Sequence, residues 1–431
     1  MVVTGGYSKT HSNRTYNGLE MSLNVLFVSI AFPPKLDPEC LQTAKYFKYL
    51  VRDKSLNIDV VTSPDETLFM PVDENLKKYA KGYRQIIKVP FFENKYVNFL
   101  MRKINSEILQ YPDSKYRFAK KWANVLNQLD NTPDVIYSRS SPLSSTVMAY
   151  NIQQQLKIPW VLHLSDPWTI DPDHFYSKSR KWNEEMEQKC FEAASILSFT
   201  SMKTIELYQE KYPALAHKMR FFPNVFDIDD SRNISYKLKS KIKVVFTGGL
   251  VGNRSPVAFF NAILFLYQKY PEIVSDYEFI FAGALDRRNK AYFEQNIPSV
   301  KHIGQLNYSE ALNLQAEADM LLLIDTPFKN QDQALFFPSK LLDYMLMKKR
   351  IIALTDKNGT SWDFINEKIG ECFVHNDTES IAEALKAAWY KWKAQDENYF
   401  IHENIDMKYS AKYNAKQLAN LFHKLYKQDI Q

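Results

Sequence analysis

Four short segments of the 431-residue chain hold side chains able to do chemistry. The first is Phe246-Thr-Gly-Gly-Leu-Val-Gly-Asn-Arg-Ser-Pro256. The whole chain carries only 11 glycines, and Gly248, Gly249 and Gly252 fall within one stretch of five residues. Glycine lets a backbone approach a ligand closely, and the start of a following helix favours an anion. Arg254 is placed to fork onto a phosphate. An ordinary glycine-rich turn explains the same residues equally well, and the spacing fits neither GxGxxG nor a P-loop. The second segment is Leu335-Phe-Phe-Pro-Ser-Lys-Leu-Leu-Asp-Tyr-Met345. A helix is predicted over Pro338–Met347, so Ser339 and Lys340 bring a hydroxyl, an ammonium and free N–H groups to one helix start, which suits a pyrophosphate. Asp343, one turn on, is spaced to accept hydrogen bonds from ribose hydroxyls. The plainer alternative is a first-turn carboxylate balancing the helix dipole beside a solvated lysine.

The third segment, Trp160-Val-Leu-His-Leu-Ser-Asp-Pro-Trp168, follows a predicted strand. His163, Asp166 and Trp168 are expected to project towards a cleft, a carboxylate and an aromatic wall of the kind carbohydrates meet. A hydrogen-bonded core histidine and a turn-forming Asp before Pro167 are the competing readings. The fourth, Ser138-Arg-Ser-Ser-Pro142, is expected to open a helix, where its hydroxyls suit an anion, a sugar or simple capping.

These segments need elements to hold them. Short apolar runs rich in β-branched residues alternate with helical spacings, the pattern of parallel sheets. Asn24–Ile30, Ile58–Thr62, Asp134–Tyr137, Trp160–Leu164 and Ile196–Phe199 form one series. Ile242–Phe246, Tyr277–Ala282, Val300–Ile303, Met320–Ile324 and Arg350–Leu354 form a second. The expected fold is α/β, two Rossmann-like parallel-sheet domains facing across a cleft. The expected divisions are a tail at 1–21, a first domain at 22–226, a linker at 227–240, a second domain at 241–395, and a C-terminal helical segment at 396–431.

Composition narrows the classes. No apolar run approaches the ~20 residues of a membrane span. Residues 1–20 lack the charged and apolar regions of a signal peptide. Cys40, Cys190 and Cys372 are far apart, with no CxxC, which speaks against a zinc or redox motif. Charge is uneven: between Lys77 and Lys121 stand twelve Lys or Arg against three acids, interleaved with aromatics. Such a stretch is either a solvated helical face or a surface for anionic lipid or an anionic acceptor. No nucleic-acid recognition module accompanies it.

Taken in order, NVLFVSIAFPP, PDVIYSRSSPLSS, IPWVLHLSDPW, FTSMKTIELYQEKYP, FFPNVFD, VVFTGGLVGNRSP and FPSKLLDYM resemble glycosyltransferase family 4, most closely its bacterial surface-polysaccharide subgroup. The resemblance spans about Asn24 to Tyr426. It implies a GT-B fold, a nucleotide-diphosphate sugar donor, retention of anomeric configuration and no obligatory metal or other cofactor. It implies that Gly248, Gly249, Arg254, Ser339, Lys340 and Asp343 bind the donor, with Asp343 at the second position of a paired-glutamate motif. Arg254 and Lys340 would share the catalytic role with Asp166. The acceptor side would be Phe32, Pro33, His163, Asp166 and Trp168, with Ser29 in the same first loop. The C-terminal helix would return to the first domain. The sequence departs at Leu335, where the first glutamate of the pair would stand; Asp332 and Asp325 are the nearest carboxylates.

The functional expectation is therefore a retaining hexosyltransferase acting on a glycan or lipid-linked acceptor in surface-polysaccharide synthesis. The protein would be cytoplasmic, possible contact with the membrane's inner face coming through residues 77–121. The alternatives are a non-catalytic sugar-nucleotide-binding partner subunit and an epimerase of the same fold.

Overall fold

The computed structural model describes residues 22–429 except 69, 106, 171–176, 233–235, 328–336 and 366–368. Leu335 and Asp332 thus lie outside the described residues. Among the described residues, two parallel sheets carry the fold. The first contains β1 (Leu23–Val28), β2 (Leu56–Thr62), β3 (Gln85–Lys88), β4 (Val135–Ser140), β5 (Trp160–Leu164), β6 (Ile196–Phe199) and β7 (Met219–Phe221). Its order is β3-β2-β1-β4-β5-β6-β7. The second contains β8 (Ile242–Thr247), β9 (Tyr277–Ala282), β10 (Val300–His302), β11 (Met320–Ile324), β12 (Arg350–Leu354) and β13 (Gly370–Phe373), ordered β10-β9-β8-β11-β12-β13. In each sheet the chain reverses its direction of travel once, between β1 and β4 and between β8 and β11. A crevice opens at the carboxyl edge of such a switch.

The strands read as apolar runs because both sheet faces are covered. Leu26 and Val28 enter one core with Ile136, Leu162 and Trp160. Val25 and Phe27 point the other way, with Tyr137, Val161 and the helix Pro38–Leu50. The C-terminal helix Ala411–Asp429 completes that second face, placing Ala415, Leu418, Ala419, Phe422 and Leu425 in the same core. Its entry is fixed by backbone bonds between Phe226 and both Tyr409 and Ala411. The Phe422 ring lies 5.7 Å from that of Tyr137. In the second unit, Val244 and Phe246 face one core and Val245 the other.

Several local expectations shift. Ser138–Ser140 do not open a helix but complete β4; the helix begins at Ser144, whose amide and hydroxyl bond the Asp113 carboxylate at 2.9 and 2.6 Å. The helix expected over Pro338–Met347 spans Lys340–Leu346. β3 lies inside the basic stretch, where Gln85-Ile-Ile-Lys88 is too short to stand out from its charged surroundings. No helix among the described residues is long and apolar enough to cross a membrane.

Truncating Phe422 to Ala removes a wholly buried ring joining the last helix to β4. We expect a loss of about 3–5 kcal/mol in unfolding free energy, read from the first transition in urea.

Candidate functional site

The loop after β8 is built to bring backbone and cations together. Gly248 stands at φ 129°, a conformation that a side chain disfavours. A Cβ there would also lie 2.2 Å from Lys340 Nζ, so glycine is what lets the lysine occupy this space. Gly283, at the end of β9, packs so tightly on Gly248 that its Cβ would lie 2.1 Å from the Gly248 carbonyl oxygen. Behind the loop, Asp286 accepts from Gly252 N at 2.8 Å, and the buried Asn289 amide donates to the Leu250 and Arg254 carbonyls at 3.0 and 3.1 Å. Gly283, Asp286 and Asn289 were not singled out from sequence; glycine scarcity was the available signal for Gly283.

Lys340 enters this loop from the helix after β11. Tyr344, one turn on, accepts from Thr247 N at 3.1 Å and ties that helix to the end of β8. The Lys340 ammonium is out of solvent, 4.6 Å from the Phe246 ring centre, and makes no hydrogen bond. Burial lowers its pKa to about 7, aided by repulsion from Arg254 and partly offset by Asp325. Arg254 donates through Nη1 to Gly249 O at 3.2 Å, while its Nε is buried without a partner. The structure thus brings Gly248, Gly249, Arg254 and Lys340 together around one space. Ser339 adjoins them, and its side chain does not cap the helix.

Asp343 is engaged elsewhere. Its Oδ1 pairs with Lys45 Nζ at 2.7 Å, both side chains almost wholly buried, so the bond joins the first unit to the second. Tyr308 donates to Asp343 at 3.3 Å or to Asp230 at 3.0 Å, and Tyr79 donates to Asp230 at 3.2 Å. Burial works to lower the Lys45 pKa, but Asp343 and Asp230 overcome it and the net shift is upward. Nothing in the sequence marked Lys45, because its partner lies 298 residues away.

Across the cleft, the expected acceptor-side residues divide. Phe32, His163 and Trp168 are wholly buried and Pro33 is buried too, which corrects the expectation that His163 and Trp168 project outwards. Phe32 packs against Phe27 and Phe47. Trp168 donates to Asn183 at 2.8 Å, and His163 Nδ1 lies 2.8 Å from Ser198 Oγ. Burial, with repulsion from Arg139, keeps His163 neutral. The cause for His163 is its place within β5, a central strand whose two faces are both covered. Ser29 is likewise buried, its hydroxyl on Ala31 O at 3.2 Å. Asp166 alone of the set keeps a solvent-exposed surface, yet protein crowds it enough that lost hydration and Asp37 raise it to about 6. Beside it, Glu39 forms a 2.6 Å ion pair with the fully buried Arg139. The N–H does not aim at the oxygen, so the pair lacks a proper hydrogen bond. Burial raises Glu39 to about 7 despite Arg139. Among the described residues no cluster of His, Cys, Asp and Glu is arranged to hold a metal ion.

No family model and no curated protein sequence matches the chain. Solved structures do. A Candida albicans trehalose-6-phosphate phosphatase N-terminal domain superposes with a TM-score of 0.63 at 13% identity, covering 95% of this chain and 98% of its own. A mutant Staphylococcus aureus TarM, in complex with fondaparinux, α-GlcNAc-glycerol and UDP, gives 0.61 at 12% identity over 93% and 99%. S. aureus MnaA with UDP gives 0.54 at 13% identity over 95% and 98%. The fold is GT-B. At such identities the likeness is one of architecture, and in that architecture the two switch points face each other across the cleft.

Lys45→Ala strands the buried Asp343 carboxylate, and breaking one partner from such a pair costs about 3–5 kcal/mol. The double change Lys45→Met with Asp343→Leu should recover most of that loss, as read by chemical denaturation.

Proposed function

We propose that the chain is a retaining glycosyltransferase that moves a hexose from a nucleotide-diphosphate sugar to a hydroxyl of a glycan or lipid-linked acceptor. The reading includes membership of family 4 and a place in surface-polysaccharide synthesis, on the cytoplasmic face of the cell membrane. One observation carries it: two cations, Lys340 and Arg254, converge on a glycine-lined space and each keeps a buried N–H without a partner. A diphosphate supplies the missing acceptors and the missing negative charge. UDP in the TarM and MnaA structures accords with this.

In the reaction, negative charge grows on the departing diphosphate. Lys340 and Arg254 stabilise it as it develops, because they are already in place and the lysine ammonium is shielded from water. Asp343 keeps Oδ1 on Lys45 and offers its second oxygen to ribose. Asp166 and Glu39, on the opposite wall, orient the acceptor hydroxyl. The departing phosphate takes the acceptor proton on the same face, which accounts for retention.

Lys340→Ala should reduce UDP-sugar affinity at least about tenfold while leaving the melting temperature unlowered. Unchanged affinity by calorimetry would remove Lys340 from the site. The pH dependence has a definite sign. The pyrophosphate diester of a UDP-sugar stays ionised throughout, and it binds the protonated lysine. Affinity should therefore be full below a pKa of about 7 and fall above it, by up to about tenfold per pH unit. Lys340→Arg should flatten that profile.

A second reading has one observation in its favour. Glu39 and Asp166, held near 7 and 6, are suited to acid–base exchange at a bound sugar, as an epimerase requires. Solvent deuterium entering a UDP-sugar without any acceptor would establish it over transfer.

A further inference from the structure

The basic stretch 77–121 is not uniform in three dimensions. Four of its twelve cations are neutralised by partners: Lys77 by Glu74, Arg84 by Asp59, Lys88 by Asp65 and Lys115 by Glu93. Of the other eight, Lys95, Arg102 and Lys103 stand in the helix Lys95–Ile104 and Arg117 lies over Phe92 just before it. Asn94 caps that helix by accepting from Tyr96 N and Val97 N, and only Asn98 of its ten residues is buried. Tyr96, Leu100 and Ile104 stand at i, i+4 and i+8, one stripe of a helix, and are 72%, 59% and 78% exposed. Phe92 and Phe99 flank it at 59% and 60%.

Six large apolar side chains in thirteen residues, counting Val97, are thus turned to water by a protein with ample core to bury them. Cations border them closely. Lys95 Nζ lies 5.0 Å from the Tyr96 ring, Lys103 Nζ 4.8 Å from Phe99, and the Arg117 guanidinium 5.5 Å from Phe92. The one acid between 92 and 104, Glu93, is taken by Lys115 Nζ at 2.9 Å and Leu68 N at 2.9 Å. An apolar stripe rimmed by lysine and arginine, with its acid cancelled, matches a surface that is oily inside and anionic outside. A protein partner would not require a rim of one sign.

We propose that residues 92–104 form a membrane anchor that inserts Phe92, Tyr96, Phe99, Leu100 and Ile104 between the headgroups of an anionic bilayer. Lys95, Arg102, Lys103 and Arg117 hold the phosphates. This sharpens the membrane contact in the reading above from charge attraction over 77–121 to shallow insertion of one helix. The anchor follows β3, the edge strand, whose carboxyl end at Lys88 lies on the cleft side of the first sheet. Docking there would bring the carboxyl edge of the first sheet, which carries Glu39 and Asp166, to the side that meets the lipid.

The test is flotation of the full chain with vesicles of phosphatidylcholine, with or without about one-third phosphatidylglycerol. Wild type should float with the anionic vesicles and not with the neutral ones. Tyr96→Ser, Leu100→Ser and Ile104→Ser together should reduce that binding about tenfold or more even at low salt. Replacing Lys95, Arg102 and Lys103 by Gln should also reduce flotation with the anionic vesicles about tenfold or more. Since these side chains are exposed, melting temperature and UDP-sugar affinity should match wild type. Those two readouts keep a failure here separate from a failure of the transferase reading. Wild type that stays with the soluble fraction, or a triple serine variant that floats as well as wild type, overturns the anchor. So does a wild-type dimer that the serine variant turns into a monomer, because the stripe would then pair two copies.

Discussion

A cation held out of water with no hydrogen-bond partner is costly. The Lys340 ammonium is in that position, with the Arg254 guanidinium near enough to push its proton affinity down further. Burial and like-charge repulsion act in the same direction, so the protein leaves this pair of cations electrostatically unsatisfied. The surroundings make this tolerable by exclusion: Gly248 leaves the room, Phe246 offers a ring face, and Tyr344 fixes the helix that carries the lysine. Most of what is particular about the second unit near β8 serves this one space.

The first unit is held to it by a different kind of interaction. The Lys45–Asp343 pair, with Asp230, Tyr308 and Tyr79 around it, is a buried polar network drawing on both units and the segment between them. Such pairs add little net stability, but leaving one member alone is expensive, so the network favours one relative placement of the two walls. The C-terminal helix adds apolar weight, since it leaves the second unit and closes the core of the first. Lys340 and Arg254 in the second unit and Glu39 and Asp166 in the first are therefore held relative to one another by contacts other than their own.

The carboxyl wall shows how topology makes chemistry from unrelated segments. Glu39 comes from the first turn of the helix that follows β1, Arg139 from the end of β4 and Asp166 from the loop after β5. The three meet because β1, β4 and β5 are neighbours in the sheet. Asp166 was legible beforehand, since a carboxylate after an apolar strand is a recognisable pattern. Glu39 was not, because alone it reads as an acid in the first turn of a helix.

The sequence by itself determined the alternation of strand and helix, the existence of two sheet units, and the glycine and lysine segments around Gly248 and Lys340. These are local properties: apolar period, β-branched content, and rare residues set close together in the chain. Tertiary structure alone decided which way each side chain faced. His163 is buried because it sits in a strand covered on both faces, and Trp168 because Tyr208 and Asn183, distant in the chain, bond its amide and its indole. Asp343 found Lys45, Glu39 found Arg139, and the cations of 77–121 sorted into neutralised and free ones, through partners brought near by folding. Pairing energies of that kind depend on distance and burial in space, and chain order carries neither.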